Sequence, residues 1–191
     1  MFERFRLWLI VLLLSVSSPL LAAEIDITNA QIEASDDGYV LSADFSFELN
    51  QRLEEAVTKG VVLHFALEFE LVRPRWYWLD EKVLSRSMTY RLSYHALTRQ
   101  YRLSTGGLHQ SFDSLAEALR MLSRLRNWVI VEKGADNSGV RPGEVLTAAL
   151  RLRLDVAQLP RPFQISALGN RDWSLASDWK TWQVTVPAEA K

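Results

Sequence analysis

The sequence predicts a mainly β (α+β) fold: an antiparallel β-sandwich of about eight strands, with one substantial amphipathic helix and one short helix. Three observations predict it. Several segments alternate apolar and polar residues with period two, so each buries one face and wets the other as an antiparallel strand does. Turn residues punctuate them at short intervals. One later segment switches to the spacing of an amphipathic helix. Strands that each bury one face are most simply satisfied by two sheets packed face to face. A single curved sheet wrapped on the helix is the alternative.

Residues 1–23 come first and predict an address. Arg4 and Arg6 form a short basic region, residues 7–14 (LWLIVLLL) are unbroken apolar, and residues 15–23 are small and carry Pro19. This is the pattern of a secretory signal peptide. The apolar run is short of the roughly 20 residues a membrane span needs. Cleavage is expected after Ala22 or Ala23, leaving a single β-rich periplasmic domain over residues 24–191. The alternative is an inner-membrane protein anchored by the uncleaved signal.

The first strand is expected at 24–34, with a bulge where the alternation changes register between Ile27 and Ala30. Asp36-Asp37-Gly38 predicts a hairpin turn. Over 39–49, Tyr39, Leu41, Ala43, Phe45, Phe47 and Leu49 share one face. A short helix is expected over 50–59, with Asn50 as cap and Gly60 as stop. Strands follow at 61–71, 88–94 and 100–104. The last two are joined by a turn at 96–99, and Gly106-Gly107 ends the third. The substantial helix is expected over 114–126, opened by the capping box Ser114-x-x-Glu117. Its apolar stripe is Leu115, Ala118, Leu119, Leu122 and Leu125. Further strands are expected at 128–132, 146–154 and 180–186, and residues 133–143 read as a loop.

Composition removes several function classes. The 191 residues are 48% hydrophobic and 24% charged, which excludes a disordered chain. With no cysteine there is no disulfide framework, thiolate metal site, cysteine nucleophile or lipidated N-terminal cysteine. A net charge of −1 argues against nucleic acid as a partner. That balance hides a segregation: residues 24–72 hold eleven acids and two bases, residues 73–126 ten bases and four acids. Neighbouring strands whose wet faces attract would explain it. The other reading is a basic face, including Arg120, Arg124 and Arg126, that holds an anionic ligand such as a lipid headgroup or acidic glycan.

No motif carries chemistry strongly. His64, His95 and His109 are scattered, so no metal is expected. His109, Ser111 and Asp113 would share a face if extended, but lack a nucleophile elbow. Paired carboxylates can be drawn from Glu68, Glu70, Asp80 and Glu81, a weak signal among acids common on strand faces. No phosphate-cradling loop or dinucleotide fingerprint is present, and no cofactor is expected. Aromatic usage says more. Arg73-Pro74-Arg75 precedes Trp76-Tyr77-Trp78, and an extended backbone sends neighbouring rings to opposite sides. Exposed aromatics beside arginine suit gripping a peptide or stacking on a sugar. Asn170-Arg171-Asp172-Trp173 reads as a polar turn with a buried tryptophan at its end, either a structural corner or a recognition loop. The candidate binding residues are therefore Arg73, Arg75, Trp76, Tyr77, Trp78, Arg171 and Trp173; no catalytic residue is assigned.

Residues 68–83 (EFELVRPRWYWLDEKV), 90–112 (YRLSYHALTRQYRLSTGGLHQSF) and 150–173 (LRLRLDVAQLPRPFQISALGNRDW) resemble a proteobacterial family of secreted proteins called domain of unknown function 4390. The resemblance implies export and a single domain of this length. It implies no activity and assigns no site residues. An association of such genes with a membrane sensor kinase implies an accessory role in envelope sensing. The expected function is thus a non-enzymatic interaction or accessory module of the bacterial envelope, its partner an envelope or inner-membrane protein. Peripheral membrane contact is not expected, and the sequence gives no oligomeric state. A hydrolase of envelope glycans or esters is the alternative, and a purely structural adaptor on a membrane protein a third reading.

Overall fold

The structure is a computed structural model that describes residues 24–77, 80–134, 139–167 and 169–186. The expected signal peptide, Trp78 and part of the 133–143 loop lie outside the described residues. Nine strands occur among the described residues: β1 (Asp26–Ser35), β2 (Gly38–Ser46), β3 (Leu63–Arg73), β4 (Glu81–His95), β5 (Gln100–Thr105), β6 (Leu108–Phe112), β7 (Arg124–Glu132), β8 (Val145–Leu154) and β9 (Lys180–Thr185). Three α-helices accompany them: α1 (Gln51–Thr58), α2 (Leu115–Leu122) and α3 (Arg161–Ala167). The strands form two antiparallel sheets, a three-stranded one in the order β1-β2-β7 and a six-stranded one in the order β6-β5-β4-β3-β8-β9.

The alternation places the core. Leu63, Phe65, Leu67, Phe69 and Leu71 of β3 are buried, as are Leu146, Ala148, Leu150, Leu152 and Leu154 of β8. Leu41, Ala43 and Phe45 of β2 join the same apolar cluster, with Leu125 and Ile130 of β7. Phe69 of the large sheet meets Trp128 of the small one edge to face, with ring centroids 6.4 Å apart. Arg86 of β4 points inward and donates through Nε to the Ile130 carbonyl at 3.1 Å, tying the sheets together. From Ser85 to Ser93 the odd residues of β4, with the even residues of β3 and β5, face outward.

Local chemistry explains the boundaries. Asn50 caps α1, its side chain accepting from Leu53 N at 3.0 Å, and Leu53, Ala56 and Val57 enter the core. The expected bulge in β1 falls between Ile27 and Asn29. The β1–β2 hairpin closes with Ser35 opposite Gly38. Gly38 is required there: its φ is +124°, and a Cβ would lie 2.1 Å from the Val131 carbonyl oxygen.

Three expectations are corrected. The substantial helix ends at Leu122, not at 126, and Arg124 opens β7. Ser114 does cap it, accepting from Glu117 N at 3.3 Å. Strand pairing cuts it short: Phe45 N donates to the Ser123 carbonyl at 2.9 Å, and Leu125 pairs with Ala43. Leu125 satisfies both the helical and the strand spacing, so the pattern ran through the boundary. The Arg120, Arg124, Arg126 helix face therefore does not exist, and Arg126 instead pairs with Asp44 at 2.5 Å. Second, Gly106-Gly107 does not simply end a strand but turns β5 into β6. That edge strand escaped notice because its described residues stay largely exposed. Third, α3 was not expected. At seven residues it is too short to show a period, and Pro162 sits in its first turn, where a missing N–H costs little.

Candidate functional site

The described candidate residues fall into two places. Arg73, Arg75, Trp76 and Tyr77 lie at the β3–β4 connection. Arg171 and Trp173 lie in a single 3₁₀ turn beside α1, where Asn50 Nδ2 donates to the Asp172 carbonyl at 2.8 Å. Asp155 docks by its N–H on the His64 carbonyl near the start of β3, and Leu175 pairs with Leu154 beside it. Arg73 closes the other end of β3, nine residues on, or about 30 Å. The two groups thus lie at opposite ends of the sheet. Trp173 is only 3% exposed and packs on Phe163 at 5.3 Å between ring centroids. The tryptophan that ends the turn is buried as the sequence predicts, so the turn is a structural corner there and Trp173 does not line a surface site.

The β3–β4 tip is built on ion pairs. Arg73 donates from Nε to Glu144 Oε1 at 2.5 Å, from Nη1 to Glu81 Oε2 at 2.7 Å and from Nη2 to the Gly139 carbonyl at 3.0 Å. Arg75 also pairs with Glu81, while its backbone N–H donates to Asp80 at 3.1 Å. The Glu144 backbone is fixed in turn, its carbonyl accepting from Val186 N at 2.8 Å. Hydrogen bonds from Arg73, then from Arg75, hold the Glu81 carboxyl below the usual carboxylate range. Glu144 is lowered first by Arg73, against the opposing effect of burial. Arg73 is raised by the same contacts, with Glu144 first, so it stays charged throughout. Glu144 is the partner sequence reading missed; 71 positions separate it from Arg73, and no local pattern links them.

On this base stand two exposed aromatics. Trp76 is 94% exposed and Tyr77 67%, and their rings meet edge to face at 5.2 Å. The arginines beneath them are occupied by carboxylates, so they brace the tip and leave ring contact to Trp76 and Tyr77. A large apolar surface held out by a rigid support suits macromolecular recognition, because little side-chain order is lost on binding.

The carboxylates considered for catalysis are engaged elsewhere. Glu68 accepts from Arg151 at 3.0 and 2.5 Å and from Arg153 at 3.1 and 2.9 Å. Burial alone would raise its carboxyl; the two guanidiniums outweigh that and hold it low. Glu70 pairs with Lys82 at 2.6 Å. Asp113 accepts from Gln100 at 3.0 Å and does not orient His109. No group of three or more His, Asp or Glu residues that would hold a metal occurs among the described residues. No helix among them is long and apolar enough to cross a membrane.

No curated protein and no solved structure matches this chain. A family model does match, over residues 22–183, which span the three-stranded sheet, the braced tip, the Trp173 turn and the six-stranded sheet into β9. The chain belongs to the family described as a domain of unknown function, DUF4390.

Proposed function

We propose that this chain is an exported, non-enzymatic interaction or accessory module of the bacterial envelope, and that the β3–β4 tip is its contact element. The observation that carries the reading is the near-complete exposure of Trp76, next to Tyr77, on a base fixed by Arg73, Arg75, Glu81 and Glu144. A soluble fold ordinarily shields such rings, and aromatic anchors dominate the energetics of protein interfaces. Export is supported by the basic, apolar and small-residue order of residues 1–23. The expected partner is an envelope or inner-membrane protein, in keeping with a role in envelope sensing. The β-sandwich reading is supported by the single apolar core to which both sheets contribute.

Export is tested by fusing the full chain to alkaline phosphatase, which is active only outside the cytoplasm. An active fusion that Leu12→Arg silences supports export; activity unaffected by that change contradicts it. The contact role is tested with Trp76→Ala/Tyr77→Ala. The expected result is unchanged melting with loss of a stoichiometric envelope partner that co-purifies with the wild-type chain. A partner retained by the double variant would refute the tip.

A further inference from the structure

A second basic cluster lies on the outer face of the six-stranded sheet, away from the tip. Strand register places it. His64 of β3 is opposite Arg91 of β4, Arg91 is opposite Ser104 of β5, and Ser104 is opposite His109 of β6. One register step away, Ser93, Arg102 and Ser111 are likewise opposite one another across β4, β5 and β6. Outward direction follows from the neighbours: Leu63, Phe65, Leu92 and Leu103 point the other way and are buried. Arg91 and Arg102 are thus diagonal neighbours on one face, about 7–8 Å apart at the backbone.

This arrangement works against stability as it stands. Like charges on adjacent strands repel, and neither arginine has a carboxylate within ion-pair distance among the described residues. The nearby acids are engaged: Asp155 faces Arg153 at 3.4 Å and the Ala157 N–H at 3.3 Å, and Glu68 is held by Arg151 and Arg153. One polar atom in the cluster, Arg102 Nε, is buried without a partner. A buried N–H that has lost water and gained nothing in exchange costs free energy. Burial, then the charge of Arg91, lowers the His64 imidazole, so it stays neutral and adds no third charge to the face. What is assembled is two guanidiniums, two imidazoles and three serine hydroxyls around an uncompensated positive field. Guanidinium forks match a tetrahedral oxyanion, and hydroxyls complete its coordination.

We propose that the Arg91–Arg102 face is a binding site for a phosphoryl group. The anion bridges the two guanidiniums and is contacted by Ser104, with Ser93 and Ser111 beside it. Free phosphate and a phospholipid headgroup share this chemistry. The site stands on a different face from Trp76 and Tyr77, so it and the contact role of the tip fail independently.

The test is a titration followed through the arginine Nε–Hε resonances of the full chain. Inorganic phosphate is one arm, and vesicles of phosphatidylglycerol against phosphatidylcholine are the other. A saturable shift of the Arg102 Nε–Hε signal with phosphate identifies the free anion. Selective sedimentation with phosphatidylglycerol, with no response to phosphate, identifies the headgroup. Either result should weaken at least tenfold in Arg91→Ala, an exposed position whose loss should not disturb folding, and again in the milder Ser104→Ala. No response in either arm, or a response that Arg91→Ala leaves unchanged, overturns the site.

Discussion

Arg73 ends β3 and Arg91 lies within β4, on adjacent strands of one sheet, yet their surroundings differ. Arg73 meets two carboxylates and a carbonyl, and these bonds lock the β3–β4 connection to the loop that leads into β8. Arg91 meets none; it lies opposite His64 and Ser104, with Arg102 diagonal to it. The same residue type is therefore a brace at one place and an unfilled ligand donor at the other. Sequence segregation of charge does not separate the two roles. It is resolved only by strand order, which sets Glu70 against Lys82 and Asp44 against Arg126 but leaves β4 and β5 with arginines on one diagonal, each opposite a serine.

The comparison can be broken most forcefully at Glu68, the acid that binds two arginines at once. Glu68→Ala orphans Arg151 and Arg153, whose side chains are 31% and 32% exposed. It should lower stability by about 2–3 kcal/mol, read by urea unfolding. Arg73→Ala comes next. It should cost about 1–2 kcal/mol and open the 74–80 connection to limited proteolysis, because Glu144 and Glu81 lose their fork. A smaller, graded effect is expected from acid. Glu68, Glu81 and Glu144 have lowered folded values, so the stability they contribute is present above the ordinary 4.5 and is lost as pH falls below it. His64 is lowered from 6.5, so the unfolded chain binds its proton first and the loss begins below that pH. Melting temperature followed from pH 7 to pH 3 should fall in that order, and Glu68→Ala should flatten the lower part. The smallest effect belongs to Arg91→Ala, within about 0.5 kcal/mol of wild type or slightly stabilising, since it relieves a repulsion.

Much of the fold was legible in the sequence because period two is hard to counterfeit over ten residues. β2, β3 and β8 were read with the correct inward faces, and Asn50 and Ser114 were read as caps. Failures came where tertiary pairing overrode local pattern. Leu125 continued a helical stripe but was taken by β2. The first half of β4 was missed because Arg86 takes an inward position that the pattern expects to be apolar. At the site, Trp76 and Tyr77 were legible as surface aromatics beside arginine. Trp173 was legible as a buried ring at the end of a polar turn, but Phe163, which packs on it, sits on a helix no period announced. The partners of Arg73 and the lack of partners for Arg91 are properties of strand order, which residue spacing does not encode.

The central claim is that the tip at Trp76 and Tyr77 receives a partner. It is tested most directly by photocrosslinking in living cells from position 77 and, in parallel, from position 97. Leu97 is 92% exposed at the opposite end of β4, in the β4–β5 turn, and serves as an equally accessible control. The account predicts one discrete adduct from position 77 that is absent from position 97. Equal adducts from both positions, or only bulk envelope proteins from position 77, would contradict it.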